Sequence, residues 1–552
     1  MRGVGLTSLL VVSALVGACS GKSHSDDDES GGSSGEDGSG TGGEAGTSGS
    51  ADKGTSPQGG QTTNGGSGGA AGKAQAGGGS GGNAGAGDGG SSGAAVSGRG
   101  GRAGDGGSGG VSAGGKGGAA GSRPVPETYL PPGEGDTWQF PTGDPLNSTV
   151  PVLAPADGGV VIAGASADPA TAGLTAFDDG ITSEAFVARL DATGKPTWSV
   201  PLKAAGLPWA VAQAGDDYVV VAPNLPDQAQ VSTSFVSKDV YLAKVSGAGS
   251  VVFEKTVVFE HEETFTYGMA IAPTGDIYLA GGILDLTDTG IAEHPILVKV
   301  DASGQKVWEA PFTHPGTQAY ANAVIVLPDG DVVITGDFDN TIDFGGDTDV
   351  LTSTATLDGL PNGFIARFNP AGEPVWSQSF GGDDFSAGMG LAALPNGDFF
   401  LAAAVASDLN IGTFSLEGEP FTPSDEQSYP PTRAFVARLN GAGEVSWVKR
   451  EPASDFGNVV ATDGKSVFLG GAVDDESAVS GAIVYLRSYS ITGEVGPVYS
   501  TKDGEGVSSA AVALSDGALW VSGRFTTSIE FDDTALANAD AGVFLARLKP
   551  AP

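Results

Sequence analysis

The sequence predicts an all-β protein: a seven-bladed β-propeller of four-stranded blades, closed into a ring by an N-terminal strand and preceded by a long disordered linker. Three observations predict it. Short runs rich in β-branched and aromatic residues are bounded by Gly, Pro, Asp and Asn, with no helical period. Two such runs recur along residues 124–552. One unmatched strand pattern precedes the first repeat, and its counterpart is missing after the last.

The N-terminus has the pattern of a bacterial lipoprotein signal peptide over residues 1–18. Arg2 is followed by an apolar run from Leu6 to Val16, which is too short to span a bilayer. The string that ends at Cys19, VGAC, resembles a lipobox. The resemblance implies that Cys19, the single cysteine of the chain, carries diacylglycerol and an acyl chain such as palmitate. The alternative is a stray thiol after an ordinary secretory signal.

Residues 19–123 contain the lipidated cysteine and a tether of Gly, Ser and Ala with scattered charges. Such a composition buries too little apolar surface to offset the entropy of ordering, so we expect disorder. A flexible chain of this length has a root-mean-square span of about 55 Å. We therefore expect an exported protein that is lipid-anchored to the outer membrane, on its surface or its periplasmic face.

Residues 124–552 form the predicted propeller domain, in which each repeat offers four strands, named a to d. Strand b has the form GDIYLAGG, strand c has the form FVARL, and strand d ends in an aromatic residue. A short apolar run before strand b supplies strand a. The seven copies of strand c begin at Phe186, Tyr241, Ile296, Phe364, Phe435, Tyr485 and Phe544. Seven four-stranded repeats predict seven blades.

The last repeat ends after FLARLKPAP and lacks strand d. The segment GEGDTWQF around Trp138 has the strand d pattern, but no other blade strand precedes it. We therefore expect Trp138 to complete the last blade, which closes the ring and removes exposed sheet edges. The strand d aromatic series is then Trp138, Trp198, Phe253, Trp308, Trp376, Trp447 and Tyr499.

The repeats resemble a known family. They are similar to the SBBP repeats of bacterial surface and secreted proteins over nearly all of residues 138–548, most clearly in the segment WSQSFGGDDFSAGMGLAALPNGDFFLA from Trp376 and in the insertion TIDFGGDTDVLTS from Thr341. This resemblance implies a seven-bladed propeller whose ligand is undefined. The string LDATGKPTW resembles the tryptophan-docking repeat, which also occurs in the non-catalytic propeller lipoprotein of the outer-membrane barrel-assembly machinery.

The turn lengths separate the two faces of the propeller. The a–b and c–d turns are short and lie on one face, whereas the longer d–a and b–c connections lie on the other, where we expect any binding site. Asp337, Asp339 and Asp343 on that face could supply oxygen ligands to Ca²⁺, the one cofactor considered. The spacing is not that of an EF-hand, and a solvated acidic loop is the alternative.

A basic residue recurs at one position of strand c. Together these residues could form an anion-binding ring, or each could form a scaffold contact, which is the interpretation we favour. These residues are Arg189, Lys244, Lys299, Arg367, Arg438 and Arg547.

Charge and the missing catalytic motifs limit the functions. The chain has 27 basic and 66 acidic residues and a net charge of −39, which disfavours nucleic acid as a partner. No histidines form a pair at metal-ligand spacing, and the folded part has no nucleophile elbow, so we expect no enzyme. We expect a monomer that binds protein or glycan at the cell surface. A periplasmic assembly scaffold is the alternative, and an enzyme would need an acid–base pair brought together by folding.

Overall fold

The computed structural model describes residues 137–140, 152–166, 184–204, 208–224, 239–261, 264–287, 290–312, 314–316, 318–356, 360–406, 408–418, 432–451, 456–474, 482–501, 503–504, 508–515, 517–525, 528–531, 534–537 and 542–548. The predicted signal peptide, Cys19 and the tether lie outside these residues. Within them all regular structure is β-strand. No helix in this part of the chain is long and apolar enough to cross a membrane.

Seven large antiparallel sheets, numbered here along the chain, form a β-propeller. Sheets 1 to 3 consist of β2 (Val152–Ala156), β3 (Gly159–Ser166), β4 (Glu184–Asp191) and β5 (Pro196–Leu202); β6 (Ala210–Ala214), β7 (Asp217–Pro223), β8 (Asp239–Val245) and β9 (Val251–Val258); and β10 (Thr264–Ile271), β11 (Ile277–Thr287), β12 (Gly290–Val300) and β13 (Lys306–Pro311). Sheet 4 consists of β14 (Ala319–Val326), β15 (Val332–Phe338), β18 (Asn362–Phe368), β19 (Pro374–Gly381), β22 (Leu409–Ile411) and β23 (Phe414–Leu416).

Sheets 5 to 7 follow. They consist of β20 (Ser386–Ala393), β21 (Phe399–Val405), β24 (Arg433–Leu439) and β25 (Val445–Arg450); β26 (Phe456–Thr462), β27 (Ser466–Asp474), β28 (Ala482–Ser490) and β29 (Val495–Ser500); and β31 (Ser508–Ser515), β32 (Ala518–Phe525), β35 (Gly542–Leu548) and β1 (Thr137–Phe140). Two small sheets contain β16 (Thr341–Ile342) with β17 (Leu351–Thr352), and β30 (Asp503–Gly504) with β33 (Ser528–Phe531) and β34 (Thr534–Ala537).

The predicted count of seven four-stranded blades is wrong. Six sheets have four strands, whereas sheet 4 has six. Its additional hairpin, β22–β23, comes from the b–c connection of sheet 5, and Ile411 on β22 pairs with Phe380 on β19. Leu409 and Ile411 are buried in the core that sheets 4 and 5 share. Burial of these apolar side chains explains why the insertion adds to a neighbouring sheet and does not project into solvent.

Strands b and c are apolar on both faces because each sheet packs between two others. All seven residues of β15 and of β21 are buried. The core clusters lie between adjacent sheets, as where Tyr278 and Leu297 of sheet 3 meet Val332 and Phe364 of sheet 4. Strand d, at the rim, is more exposed, since most residues of β5, β13 and β25 are partly or fully exposed.

The strand that contains Trp138 pairs with the last strand of the chain, as the sequence predicts. β1 is antiparallel to β35 and supplies the fourth strand of sheet 7. Trp138 lies opposite Leu545, two residues before Arg547. Five of the series stand opposite the recurring basic residue, namely Trp198, Phe253, Trp308, Trp376 and Trp447, whereas Tyr499 lies opposite Leu486.

Tryptophans of strand d bind the c–d turn of the following sheet. Trp198 Nε1 donates a hydrogen bond of 3.0 Å to the Gly247 carbonyl, and Trp376 Nε1 donates one of 2.9 Å to the Gly441 carbonyl. The turn glycine beneath the ring has a positive φ, 79° at Gly249, and any Cβ there would lie 2.6 Å from Trp198 Cγ. Glycine is therefore required at this position for two reasons, its backbone conformation and its lack of a side chain.

The recurring basic residues form scaffold contacts beside these tryptophans. Arg367 pairs with Asp331 at 2.8 Å within its own sheet and donates to the Gly441 carbonyl of the next. Lys299 pairs with Asp276 at 3.0 Å. These contacts favour the scaffold interpretation over an anion-binding ring.

We expect Gly249→Ala to destabilise the protein more than Gly215→Ala. Both glycines have a positive φ, so each alanine costs about 1–2 kcal/mol of backbone strain. Only Gly249 lies under a tryptophan, whereas a Cβ at Gly215 would meet nothing within 4 Å. Denaturant unfolding of both variants measures the difference, which we expect to exceed about 1 kcal/mol. Equal losses would contradict the packing role of the turn.

We expect deletion of residues 1–148 to lower the melting temperature by about 5 °C or more, because it removes β1 and exposes the edge of β35. Deletion of residues 20–120 is the control, since it leaves β1 in place. Calorimetry of both chains tests the contribution of the N-terminal strand, and equal melting temperatures would contradict it.

Candidate functional site

Three b–c insertions form hairpins that cover the core on the face where the sequence predicts binding. They are β16–β17, β22–β23 and β33–β34. Ile342, Leu351 and Ile529 on these hairpins are buried in the same clusters as strand b and c side chains. The insertions that suggested variable binding loops therefore act largely as apolar covers.

A buried polar cluster lies on the same face, where sheet 3 meets sheet 4. We call it the Glu293 cluster, and five of its residues are at most 7% exposed: Glu293, His314, Tyr320, Asp337 and Asp339. Glu293 lies on the long β11–β12 hairpin, opposite Leu284. His314 lies in the connection between the two sheets, and Tyr320 on β14 lies opposite Asp337 on β15.

His314 joins the two sheets through both ring nitrogens. Its Nδ1 lies 3.0 Å from the Glu293 carbonyl oxygen, and its Nε2 lies 2.7 Å from the Asp339 carbonyl oxygen and 2.9 Å from Asp339 Oδ1. Because carbonyl oxygens only accept, both contacts are hydrogen bonds only when both ring nitrogens carry a proton. Gly316 covers the pair so closely that a Cβ there would overlap Asp339 Oδ1.

Asp337 is bound by neutral donors. Gln318 Nε2 donates to Asp337 Oδ2 and Asn322 Nδ2 donates to Asp337 Oδ1, each at 3.0 Å. Burial raises the pKa of Asp337 to about 6, with a smaller contribution from the charge of Asp339. Burial of the Asp337 carboxyl group costs free energy. No lysine or arginine of the described chain offsets this cost by forming an ion pair with it.

Glu293 is the most perturbed acid of the cluster. Burial raises its pKa to about 7, with Asp337 and Asp339 adding to the effect and a hydrogen bond from Tyr320 opposing it. Its Oε2 has no hydrogen-bond partner among the described residues. A buried acceptor without a partner is rare and costs free energy.

Two β-bulges bring half-buried polar residues to this cluster from the innermost strands. Tyr267 is the additional residue of the bulge in β10, and Asn322 is the additional residue at the matching place in β14. Asn322 also donates to the Gly388 carbonyl in the bulge of β20, at 3.0 Å. Bulges turn a side chain out of the regular alternation, and here they bring Tyr267 and Asn322 beside the buried acids.

The three predicted calcium ligands are used in different ways. Asp337 and Asp339 belong to the Glu293 cluster, whereas Asp343 Oδ1 accepts a hydrogen bond of 2.7 Å from the Gly345 amide in its own turn. Among the residues whose structure is described, no group of three or more His, Cys, Asp or Glu could hold a metal ion. The three aspartates therefore share no common centre in the fold, and the calcium site stays a prediction.

Sequence reasoning missed Glu293, His314, Tyr267 and Asn322. The one local signal is the pair of polar residues Glu293 and His294 between the apolar residues of β12. The other residues come from separate strands and a connection, and only the packing of sheets 3 and 4 brings them together.

No protein-family model and no curated protein matches this chain. The solved structures it is similar to include a protein of unknown function from Dyadobacter fermentans, with 12% identity, coverage of 66% of this chain and 96% of that one, and a TM-score of 0.36. A gluconolactonase from Xanthomonas campestris has 12% identity, coverage of 60% and 91%, and a TM-score of 0.27. The apocarotenoid oxygenase of Synechocystis has 11% identity, coverage of 67% and 71%, and a TM-score of 0.29. TM-scores this low carry no argument about activity, and the SBBP resemblance stays a prediction.

We expect the free energy of unfolding to fall as the pH rises from 5 to 7.5, and to fall less in Glu293→Gln. The folded protein holds the Glu293 proton up to about pH 7, whereas the unfolded chain releases it near pH 4.5, so stability is lost through that window. Denaturant unfolding across the pH range measures both slopes.

Glu254→Gln is the matched control, because Glu254 also accepts a hydrogen bond from a tyrosine, Tyr241, at 2.5 Å. Burial acts to raise the pKa of Glu254, but hydrogen bonds from Tyr241 and Lys203 together lower it. We expect this variant to keep the wild-type slope. A Glu293→Gln curve parallel to wild type would contradict the assignment.

Proposed function

We propose that this protein is a lipid-anchored binding module. In this proposal Cys19 carries the lipid, residues 20–123 form a flexible tether, and the propeller presents its loop-bearing face to a protein or glycan ligand. The single cysteine at the end of an apolar signal segment supports the anchor. A lipid-modified cysteine needs two or more acyl chains for stable attachment, which the lipobox modification would supply.

We also propose that the propeller is a closed ring of seven sheets in which sheet 4 takes the seventh place. The support is the order of contacts between innermost strands, which runs β2, β6, β10, β14, β20, β26 and β31, and returns from β31 to β2. The β1–β35 pairing brings the two ends of the folded chain into one sheet. This arrangement agrees with the SBBP resemblance of the repeats.

The observation that carries the binding proposal is the contrast between the two faces. On the face of tight turns, polar side chains are paired with one another, as in the 2.5 Å contact of Arg438 with Asp398. On the opposite face Glu293 retains an oxygen without a partner in a cluster of three acids. A surface that binds a ligand needs polar groups still available to it.

The same cluster bears on the enzyme alternative. Folding does bring two acids of raised pKa together, Glu293 and Asp337. The sequence has no nucleophile elbow in its folded part and no pair of histidines at metal-ligand spacing to act with them. We therefore favour binding over catalysis, with an outer-membrane assembly scaffold as the second candidate because of the tryptophan-docking contacts.

We expect Cys19→Ala to move the protein from the membrane fraction to the soluble fraction, since no lipid can be attached. Ser20→Ala is the control and should remain in the membrane fraction. Immunoblots of separated fractions measure both. Retention of Cys19→Ala in the membrane would contradict the anchor.

Protease added to whole cells separates surface display from the scaffold alternative. Cleavage of the tether in intact cells would support display, and protection until the outer membrane is opened would support the scaffold.

A further inference from the structure

Two other glutamates with buried side chains, among the residues that the structure describes, have a basic partner from the same chain. Glu451 Oε2 accepts from Tyr485 Oη at 2.7 Å and from Arg487 Nε at 2.8 Å, and Glu451 Oε1 accepts from Tyr489 Oη. The Glu309 side chain pairs with Lys306 Nζ at 2.8 Å. The fold thus supplies a cation where it buries a carboxylate, which limits the cost of burial.

The Glu293 cluster departs from this rule. In the described part of the chain, neither Glu293 nor Asp337 forms an ion pair with lysine or arginine, and His314 is the one basic side chain acting on both. Two buried oxygens, Glu293 Oε2 and Asn322 Oδ1, have no hydrogen-bond donor there. The cluster therefore places three acids beside one histidine and leaves two acceptors without a donor at one place.

Two less buried residues of the cluster lie beside these oxygens. Asn322 belongs to the bulge of β14 and donates to Asp337 Oδ1, and Tyr267 belongs to the bulge of β10 and lies close to the charges of Glu293 and Asp337. Both residues are half-buried, whereas Glu293 and Asp337 are buried. A ligand that reaches the acids must pass half-buried side chains such as these, which favours a slender group.

We propose that the Glu293 cluster receives the cationic end of a lysine or arginine side chain from a protein partner. This inference rests on the proposed binding function and names the partner's chemistry. Ammonium and guanidinium groups carry three and five N–H donors on a narrow stem, which matches carboxylate and amide acceptors deep in a surface. The net charge of −39 favours the approach of a basic partner.

The test uses agmatine, which carries a guanidinium and an ammonium group on one alkyl chain, titrated into the purified full-length protein by calorimetry. We expect saturable binding at pH 8, above the Glu293 pKa of about 7, that weakens by about tenfold or more in Glu293→Gln, because a charged acceptor is lost. Glu451→Gln is the matched control and should bind as wild type does, since every oxygen of Glu451 already has a donor.

Asn322→Ala gives a second, half-buried position in case Glu293→Gln fails to fold, and should also weaken agmatine. Absence of saturable agmatine binding, or equal affinity in wild type and both variants, would overturn the proposal. Calcium chloride and glucosamine are titrated in parallel. Saturable binding of either with none of agmatine would overturn it in favour of a metal or an amino sugar.

This result is independent of the anchor. If Cys19→Ala stayed in the membrane fraction, the display function would fail while the agmatine titration still stood. If agmatine failed to bind, the cationic partner would be rejected and the anchored binding module would remain to be tested by fractionation.

Discussion

The contact between a strand d tryptophan and the next c–d turn is the constraint on which the propeller depends. The indole both packs on a glycine that cannot carry a side chain and donates to a carbonyl of that turn. Because the same turn carbonyl at Gly441 also accepts from Arg367, one turn holds two side chains of the preceding sheet. Sheets 1, 4 and 5 are each fixed to the following sheet in this way, at the face of tight turns.

Fixing one face leaves the other free to vary. There the b–c connections differ in length and form hairpins that bury Ile342, Ile411 or Ile529. One of them, β22–β23, extends the preceding sheet at its outer edge. The loop-bearing face therefore combines apolar hairpins, which add to the core, with the Glu293 cluster, in which three acids lie beside one histidine.

Two ways of burying acids coexist in this fold. Glu451 is enclosed between sheets with an arginine and two tyrosines, and its hydrogen-bonding capacity is used. Glu293 has a tyrosine and a shared histidine, and burial raises its pKa to about 7. Burial raises the pKa of Glu451 as well. The two acids therefore differ in their partners, because Glu293 Oε2 has no donor among the described residues whereas both oxygens of Glu451 do.

The sequence alone determined the strand repeats, the scaffold position of the basic residues and the pairing of the Trp138 strand with the last strand. These features could be predicted because alternation, turn glycines and repeat spacing are local or periodic signals. It did not determine that sheet 4 has six strands, since the pairing of β22 with β19 depends on which edge lies nearby. The register of Trp138 against Leu545 also escaped it. The Glu293 cluster was decided by tertiary structure, because its acids, histidine and bulge residues come from two sheets and the connection between them, and only their packing sets burial and charge.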